Sequence, residues 1–476
     1  MLQEFFLSFR KEISLIEQPE AKQVVLQSPM QKLTFKQVTP GWRTALKILS
    51  SNGGKAKQLS QLVQQADGSY EMLKFYYQLQ KWSNQGWLCY SVLADNKRPL
   101  ATAIPLVWEH QFSCTEVKPQ QKYVLSRFAY CHQVEGQMVL ESPLSQVQVI
   151  LPDWRSTALV AQLAKPQDCQ DLATQIPGIA QETAKQFVIL LLSTQMVFEV
   201  QEDDTIKEQT NITLAQWDFH DLLFHSRSRL GRHANPYGRT YRFLGKIEPL
   251  PAVKPRMSDD VIELYKPDIE ALKAVDAPFT GILEQRRSIL DYGEKPITAQ
   301  QLGEFLYRSA RVRSIIKTDA GELSNRPYPG GGAIYELELY AVVNHCQNMP
   351  DGLYHYDPQA HQLCRLSGRT ETLEELLKDA WYATGQQSMP QVLIIVAARF
   401  QRLAWKYESL AYALTLKHVG VLYQTMYLVA TAMNLAPCGL GGGNSDLFAK
   451  VVGCDYYAET SIGEFALGSF PIAYST

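Results

Sequence analysis

Residues 326–340 read RPYPGGGAIYELELY: three consecutive glycines between a Pro-Tyr-Pro turn and a run of aromatic and apolar residues. Glycine is used where the chain takes a positive φ, or where main chain must lie close to something else. A phosphate loop is the first reading of such a run. That motif needs Lys and Ser/Thr after its glycines, and Gly332 is followed by Ala333 and Ile334. A Walker-type nucleotide site is therefore excluded. What requires a bare backbone here depends on the rest of the chain.

With 476 residues the chain exceeds what one hydrophobic core usually serves, so two to four domains are expected. Its 46% hydrophobic and 20% charged content is ordinary for a globular protein. The net charge is −2, spread as +6 over residues 1–100, −3 over 101–200 and −5 over the remainder. That balance is well short of a nucleic-acid-binding stripe. Glu4 and the Arg10-Lys11 pair interrupt the N-terminal apolar stretch, which speaks against a targeting peptide. No apolar run approaches the length of a membrane span. The eight cysteines are 16 or more residues apart with no Cys-x-x-Cys, so neither a zinc site nor a disulfide framework is expected. A reduced, cytoplasmic protein without a structural metal follows.

A repeat organises the N-terminal half. VLQSPMQKLTFKQVTPGWRTAL (25–46) and VLESPLSQVQVILPDWRSTAL (139–159) share Val-Leu-x-Ser-Pro, an alternating strand, and Trp-Arg-x-x-Ala-Leu opening a helix. Residues 59–92 and 169–200 continue the parallel with a short helix, a turn, a longer helix and a terminal strand. Strands, three helices and a strand make a winged-helix pattern. We place the two modules at 1–115 and 116–205, followed by a Pro-rich, charged connector at 206–280 and a C-terminal domain at 281–476.

The C-terminal domain has a different texture. Thr298 is placed to cap a helix entering at Pro-Ile-Thr, residues 331–345 alternate as a strand, and QVLIIVAAR (391–399) reads as a buried central strand. HVGVLYQTMYLVATAMNL (418–435) is apolar nearly all round, which implies burial in the core or in a dimer interface.

Four stretches can carry chemistry. Arg286-Arg287-Ser288 offers two cations and a hydroxyl suited to phosphate. Pro329 with Gly330, Gly331 and Gly332 forms the first glycine loop. PCGLGGGNSD (437–446) supplies Gly439, Leu440 and Gly441; it departs from the dinucleotide fingerprint at Asn444 and follows a helix instead of a strand. Lys406 and Tyr407 are adjacent just after the expected central strand, where desolvation can turn a Lys into a general base. Taken singly, each has a plainer reading as a charged turn, a hairpin, or a packed Tyr beside an exposed Lys.

In order along the chain, these stretches resemble the FMN-dependent azoline (thiazoline/oxazoline) oxidases of the nitroreductase superfamily. The likeness runs over about 281–476, and FHDLLFHSRSR, beginning at residue 219, matches what precedes that domain. The Lys-Tyr pair is its specific element, and the tandem modules look most like the peptide-clamp units of the cyanobactin thiazoline oxidases. The resemblance implies an α+β, dimeric, nitroreductase-like FMN domain behind two winged-helix-like peptide clamps. It places FMN against the glycine loop at a dimer interface, so that a side chain at Gly331 would compete with the ring or its substrate. Arg286, Arg287 and Ser288 fall at the phosphate end, Gly439–Gly441 in the second flavin loop, and Lys406 and Tyr407 at the base. Two departures stand out: Gly330 replaces the Ser of many relatives, and Gly468-Ser469 lacks a basic residue often found there.

The implied reaction oxidises peptide azolines to azoles, by loss of the ring Cα proton to a base and of hydride to FMN. The implied partners are a heterocyclised precursor peptide, a second copy of the chain and dioxygen, with no nucleic acid or membrane. An NAD(P)H-dependent nitro- or quinone reductase would share the domain but would leave Lys406-Tyr407 and the repeat unused. A winged-helix nucleic-acid binder would explain the repeat but neither glycine loop.

Overall fold

The computed structural model describes residues 5–18, 23–95, 97–118 and 120–471, in two compact units, Met1–Asn235 and Pro236–Thr476. No helix among the described residues is long and apolar enough to cross a membrane.

In the first unit each repeat has the element order read from its sequence. Strands Gln23–Gln27 and Lys32–Lys36 lead into helices Pro40–Ser50, Ala56–Asp67 and Ser69–Asn84, and then strand Leu88–Leu93. Strands Gln137–Glu141 and Val147–Leu151 lead into Trp154–Gln162, Cys169–Gln175 and Gln181–Ser193, and then Val197–Glu199. The shared Ser-Pro turns work alike. Ser28 Oγ accepts from the Gln31 amide at 2.9 Å, and Ser142 Oγ from the Leu144 amide at 3.2 Å. The first helices are capped differently. Asp153 caps its own helix through the Arg155 amide at 2.9 Å, whereas Asp67, far along the chain, accepts from Gly41 and Trp42 at 3.0 Å each.

The repeats also differ in how their sheets end. Strand Pro99–Pro105 pairs antiparallel with Val147–Leu151, joining the second repeat to a seven-stranded sheet. The corresponding strand of the first repeat, Lys32–Lys36, is the edge of a three-stranded sheet. Val147 and Val149 are accordingly buried, while their counterparts Leu33 and Phe35 are only half-buried. One continuous core nevertheless runs through both repeats. The first part of the expected connector packs into this unit: Glu208, fully buried, accepts from Ser126 Oγ at 2.7 Å and from the Arg127 amide at 2.8 Å.

The second unit is built on an antiparallel seven-stranded sheet in the order Val261–Glu263, Gln362–Ser367, Gly352–Asp357, Leu337–Val343, Val392–Arg399, Glu459–Ser469, Leu435–Leu440. The continuous apolar run forms the strand Val392–Arg399, which has neighbours on both sides and is buried at every residue. Its alternate side chains feed two cores. Ile394, Val396 and Ala398 meet helices Ala299–Ala310 and Ala411–Ala432, while Leu393, Ile395 and Ala397 meet helix Glu371–Ala383. Thr298 caps its helix in a reciprocal box with Gln301.

Two expected elements are shifted. The strand foreseen at 331–345 occupies only Leu337–Val343 and is buried on both faces, because Gly332, Ala333 and Tyr335 take positive φ and spend the first residues on a turn. The long helix runs Ala411–Ala432, and within the chain only one face is buried, at Thr415, His418, Val419, Leu422, Met426 and Ala430.

Candidate active site

The sheet's centre delivers Lys406. Strand Val392–Arg399 ends, the short helix Phe400–Ala404 reverses the chain, and Tyr407–Glu408 pairs antiparallel with Gly238–Arg239. Lys406 is only 6% exposed, with Nζ 5.6 Å from the Tyr241 ring centre and 5.8 Å from that of Tyr407. It donates to the Gly332 carbonyl at 3.4 Å. Burial pushes the Tyr407 phenol up, so it stays protonated at neutral pH.

The triple glycine now has a physical explanation. Gly332 has φ +62°, and a Cβ there would lie 2.6 Å from Tyr407 Oη and 2.9 Å from Lys406 Nζ. A side chain at this position would displace the Lys-Tyr pair. At Gly331 the nearest obstacle is His418, whose Nε2 would be 3.0 Å from a Cβ. A Cβ at Gly330 would meet the Tyr335 ring at 2.9 Å, and Pro329 is exposed at the start of the loop.

His418 is a site residue that the sequence reading missed. Its Nε2 accepts from the Gly331 amide at 2.7 Å, and its Nδ1 is 2.8 Å from Oε1 of the fully buried Glu336. The available signal was a lone imidazole in an otherwise apolar helical stretch.

The other predicted residues assemble elsewhere along the same helix. Tyr427 Oη is 2.8 Å from Ser288 Oγ and accepts from the Gly439 amide at 2.7 Å. Arg286 lies over the Tyr427 ring at 5.4 Å, Arg287 over Phe470 at 5.8 Å, and the Ile289 amide donates to the Pro437 carbonyl at 2.9 Å. Of these, Arg286, Arg287, Ile289, Pro437 and Phe470 border a cavity of about 600 Å³ that Glu284, Thr431 and Asn434 also line. Leu440, largely buried, and Gly441 border a second cavity of about 250 Å³ with Tyr412, Tyr423, Gly443 and Glu464. Burial raises the Glu464 carboxyl to about 7, against a weaker lowering by Ser461.

The predicted residues thus form two groups: Gly330–Gly332 with Lys406 and Tyr407, and Arg286–Ser288 with Gly439–Gly441. His418 and Tyr427, which tie the groups to the helix, are nine positions apart, roughly 14 Å along its axis. Two cations at a polar cavity fit a phosphate, and bare backbone in the Gly330–Gly332 loop and at the end of the strand Leu435–Leu440 fits a flat ring system, as FMN requires.

Family models match three segments of the chain. Residues 1–114 match the model of the ThcOx helix-turn-helix domain, residues 123–234 that of the cyanobactin oxidase ThcOx, and residues 283–469 that of the nitroreductase family. A candidate nitroreductase of Methanocaldococcus jannaschii is 29% identical over 185 residues, 38% of this chain and 85% of that protein. The microcin B17-processing protein McbC of Escherichia coli is 26% identical over 149 residues, 30% of this chain and 54% of its own length. Among solved structures, the E. coli microcin synthetase McbBCD complex aligns at 18% identity, over 52% of this chain and 86% of that one, with a TM-score of 0.32.

Proposed function

From a chain that carries both cyanobactin-oxidase domains and a nitroreductase-family domain, and is an FMN-dependent azoline oxidase of that superfamily, we infer how the work is divided among its residues. The activity is oxidation of peptide azolines to azoles in the biosynthesis of ribosomally made heterocyclic peptides such as cyanobactins. When bound, FMN would supply the hydride acceptor. Arg286, Arg287 and Ser288 would hold its phosphate end, and Gly439, Leu440 and Gly441 with Pro329 to Gly332 would receive the rest. Lys406 and Tyr407 form the base pair: with the Tyr407 phenol protonated, the Cα proton, acidic because it lies between a C=N bond and a carbonyl, goes to Lys406 as the free amine. The observation carrying this reading is the hydrogen bond from Lys406 Nζ to the Gly332 carbonyl, with Tyr407 Oη in the space a Cβ at Gly332 would need. An NAD(P)H-dependent nitro- or quinone reductase gives that contact no role.

The chain works as a homodimer whose interface holds the cofactor, with dioxygen as final oxidant, in the cytoplasm. Residues 1–115 and 116–205 serve as peptide-clamp modules, 206–280 as connector and 281–476 as the oxidase domain. Of the two clamps, the first takes the peptide. Its edge strand Lys32–Lys36 is open among the described residues, whereas Pro99–Pro105 already occupies the corresponding edge of the second.

Lys406→Ala and Tyr407→Phe test the assignment. Each should keep the yellow colour and the flavin's reduction by dithionite and reoxidation in air. Each should lose about 10²–10⁴-fold in the rate at which an azoline peptide sheds two hydrogens, the usual worth of a positioned base. Parental rates in the double variant would remove the pair from catalysis, and loss of FMN would assign it to the cofactor site.

A further inference from the structure

The turn that presents Gly332 to Lys406 is conformationally costly. Gly332, Ala333 and Tyr335 take φ of 62°, 57° and 49°, and for Ala and Tyr this left-handed region is unfavourable. Such a turn persists only if its surroundings hold it. Tyr335 Oη donates to the Tyr328 carbonyl at 2.9 Å, Arg402 donates to the Ile334 carbonyl, and the Arg399 amide donates to the Glu336 carbonyl at 3.0 Å. At the glycine end, the contact to the Gly331 amide comes from His418.

Both nitrogens of that imidazole are engaged. Because Nε2 accepts from a backbone N–H, the ring proton sits on Nδ1, where it donates to Glu336. Glu336 is fully buried, with Oε1 on His418 and the Arg402 guanidinium among its electrostatic neighbours, while Oε2 has no hydrogen-bond partner among the described residues. With neither nitrogen free, His418 is not itself a base for the substrate. What it fixes is a backbone amide one residue before the carbonyl that Lys406 Nζ contacts.

We propose that Glu336 and His418 are a positioning pair for the oxidation: they pin the Gly331 amide and thereby set the Gly332 carbonyl that aims Lys406 at the azoline ring. The pair acts through Lys406, so the proposal rests on the reading of Lys406 as part of the base.

A double-mutant cycle on the full-length, FMN-loaded enzyme tests it. His418→Leu removes the acceptor, while His418→Gln keeps an amide oxygen that can replace Nε2. His418→Leu should lower kcat for an azoline peptide by up to about 10²-fold, the scale of a small misplacement of a catalytic group. KM, FMN content and air reoxidation of dithionite-reduced flavin should stay near parental values. His418→Gln should recover most of the rate, and Glu336→Gln should fall between the two. In the Lys406→Ala background, His418→Leu should cost little more, because the group being aimed is already gone. An equal loss in both backgrounds, or a His418→Gln variant as slow as His418→Leu, overturns the proposal. Loss of FMN by both His418 variants and by Glu336→Gln also overturns it, since the pair would then hold the cofactor site. Undiminished turnover in Lys406→Ala alone would instead overturn the base assignment, a separate failure.

Discussion

At the scale of single residues, Glu464 shows how far a side chain's chemistry can depart from its sequence. It sits in the strand Glu459–Ser469 beside Gly443, where a Cβ would lie 2.1 Å from its carboxyl, and burial raises its pKa from 4.5 to about 7. A folded-state pKa above the unfolded value means that the folded chain holds the proton more tightly. The associated stability is present below about pH 4.5 and is lost as pH rises through 7, by on the order of 3 kcal/mol at most. Thermal melts should therefore show the parent losing stability between pH 5 and 8.5, with Glu464→Gln losing clearly less; parallel pH profiles would refute this. Nothing near residue 464 in the sequence announces the shift, because the glycine that crowds it lies 21 positions away. The first glycine loop was legible in part. Its need for bare backbone follows from three glycines in a row, but the atoms that impose it, Tyr407 Oη, Lys406 Nζ and His418 Nε2, are 74 to 87 positions distant. Sequence marked both partners and could not pair them.

At the scale of elements, periodicity located the central strand and the long helix because each is long and continuously apolar. It misplaced the start of the strand Leu337–Val343, since a turn built on left-handed Ala333 and Tyr335 has no compositional signature. In the helix Ala411–Ala432, the face not buried within the chain is informative. Leu414, Val421 and Leu428 are partly exposed and spaced seven apart, with exposed Lys417 and Gln424 between them. A seven-residue apolar spacing draws one seam along a helix and suits a partner helix. If the homodimer uses this seam, Val421→Glu with Leu428→Glu buries two charges in the interface. The parent should sediment as a dimer and the double variant as a monomer with reduced FMN content, because the proposed cofactor site lies at that interface. A double variant that remains dimeric and yellow would move the interface elsewhere.

At the scale of the whole molecule, the chain carries the two repeats, proposed as peptide clamps, and the nitroreductase-family domain in two separately cored units. The duplication was visible in sequence because Ser-Pro and Trp-Arg-x-x-Ala-Leu recur at nearly constant spacing. The inequality of the copies was not, because it depends on where Pro99–Pro105 pairs. That strand occupies one edge of the second repeat, and its residues Thr102 to Pro105 lie opposite Ile150 to Val147. It thereby shows what an antiparallel extended segment looks like on this module. Among the described residues the first repeat keeps the corresponding edge open, with half-buried Leu33 and Phe35 facing inward and Lys32 and Lys36 exposed. An extended precursor segment added there would pair best with acidic residues across from the two lysines. Lys32→Glu with Lys36→Glu should weaken binding of an azoline-bearing precursor peptide about tenfold, if each exposed pair contributes the usual 0.2–1 kcal/mol and reversal adds repulsion. Binding can be followed by fluorescence anisotropy at two salt concentrations. FMN content and turnover of a short azoline peptide too small to reach the clamp should be unchanged, which separates docking from chemistry. Unaltered precursor binding by the charge-reversed protein would place the clamp on another surface, and tight, strongly salt-dependent binding of duplex DNA by the parent would return the repeats to nucleic-acid recognition.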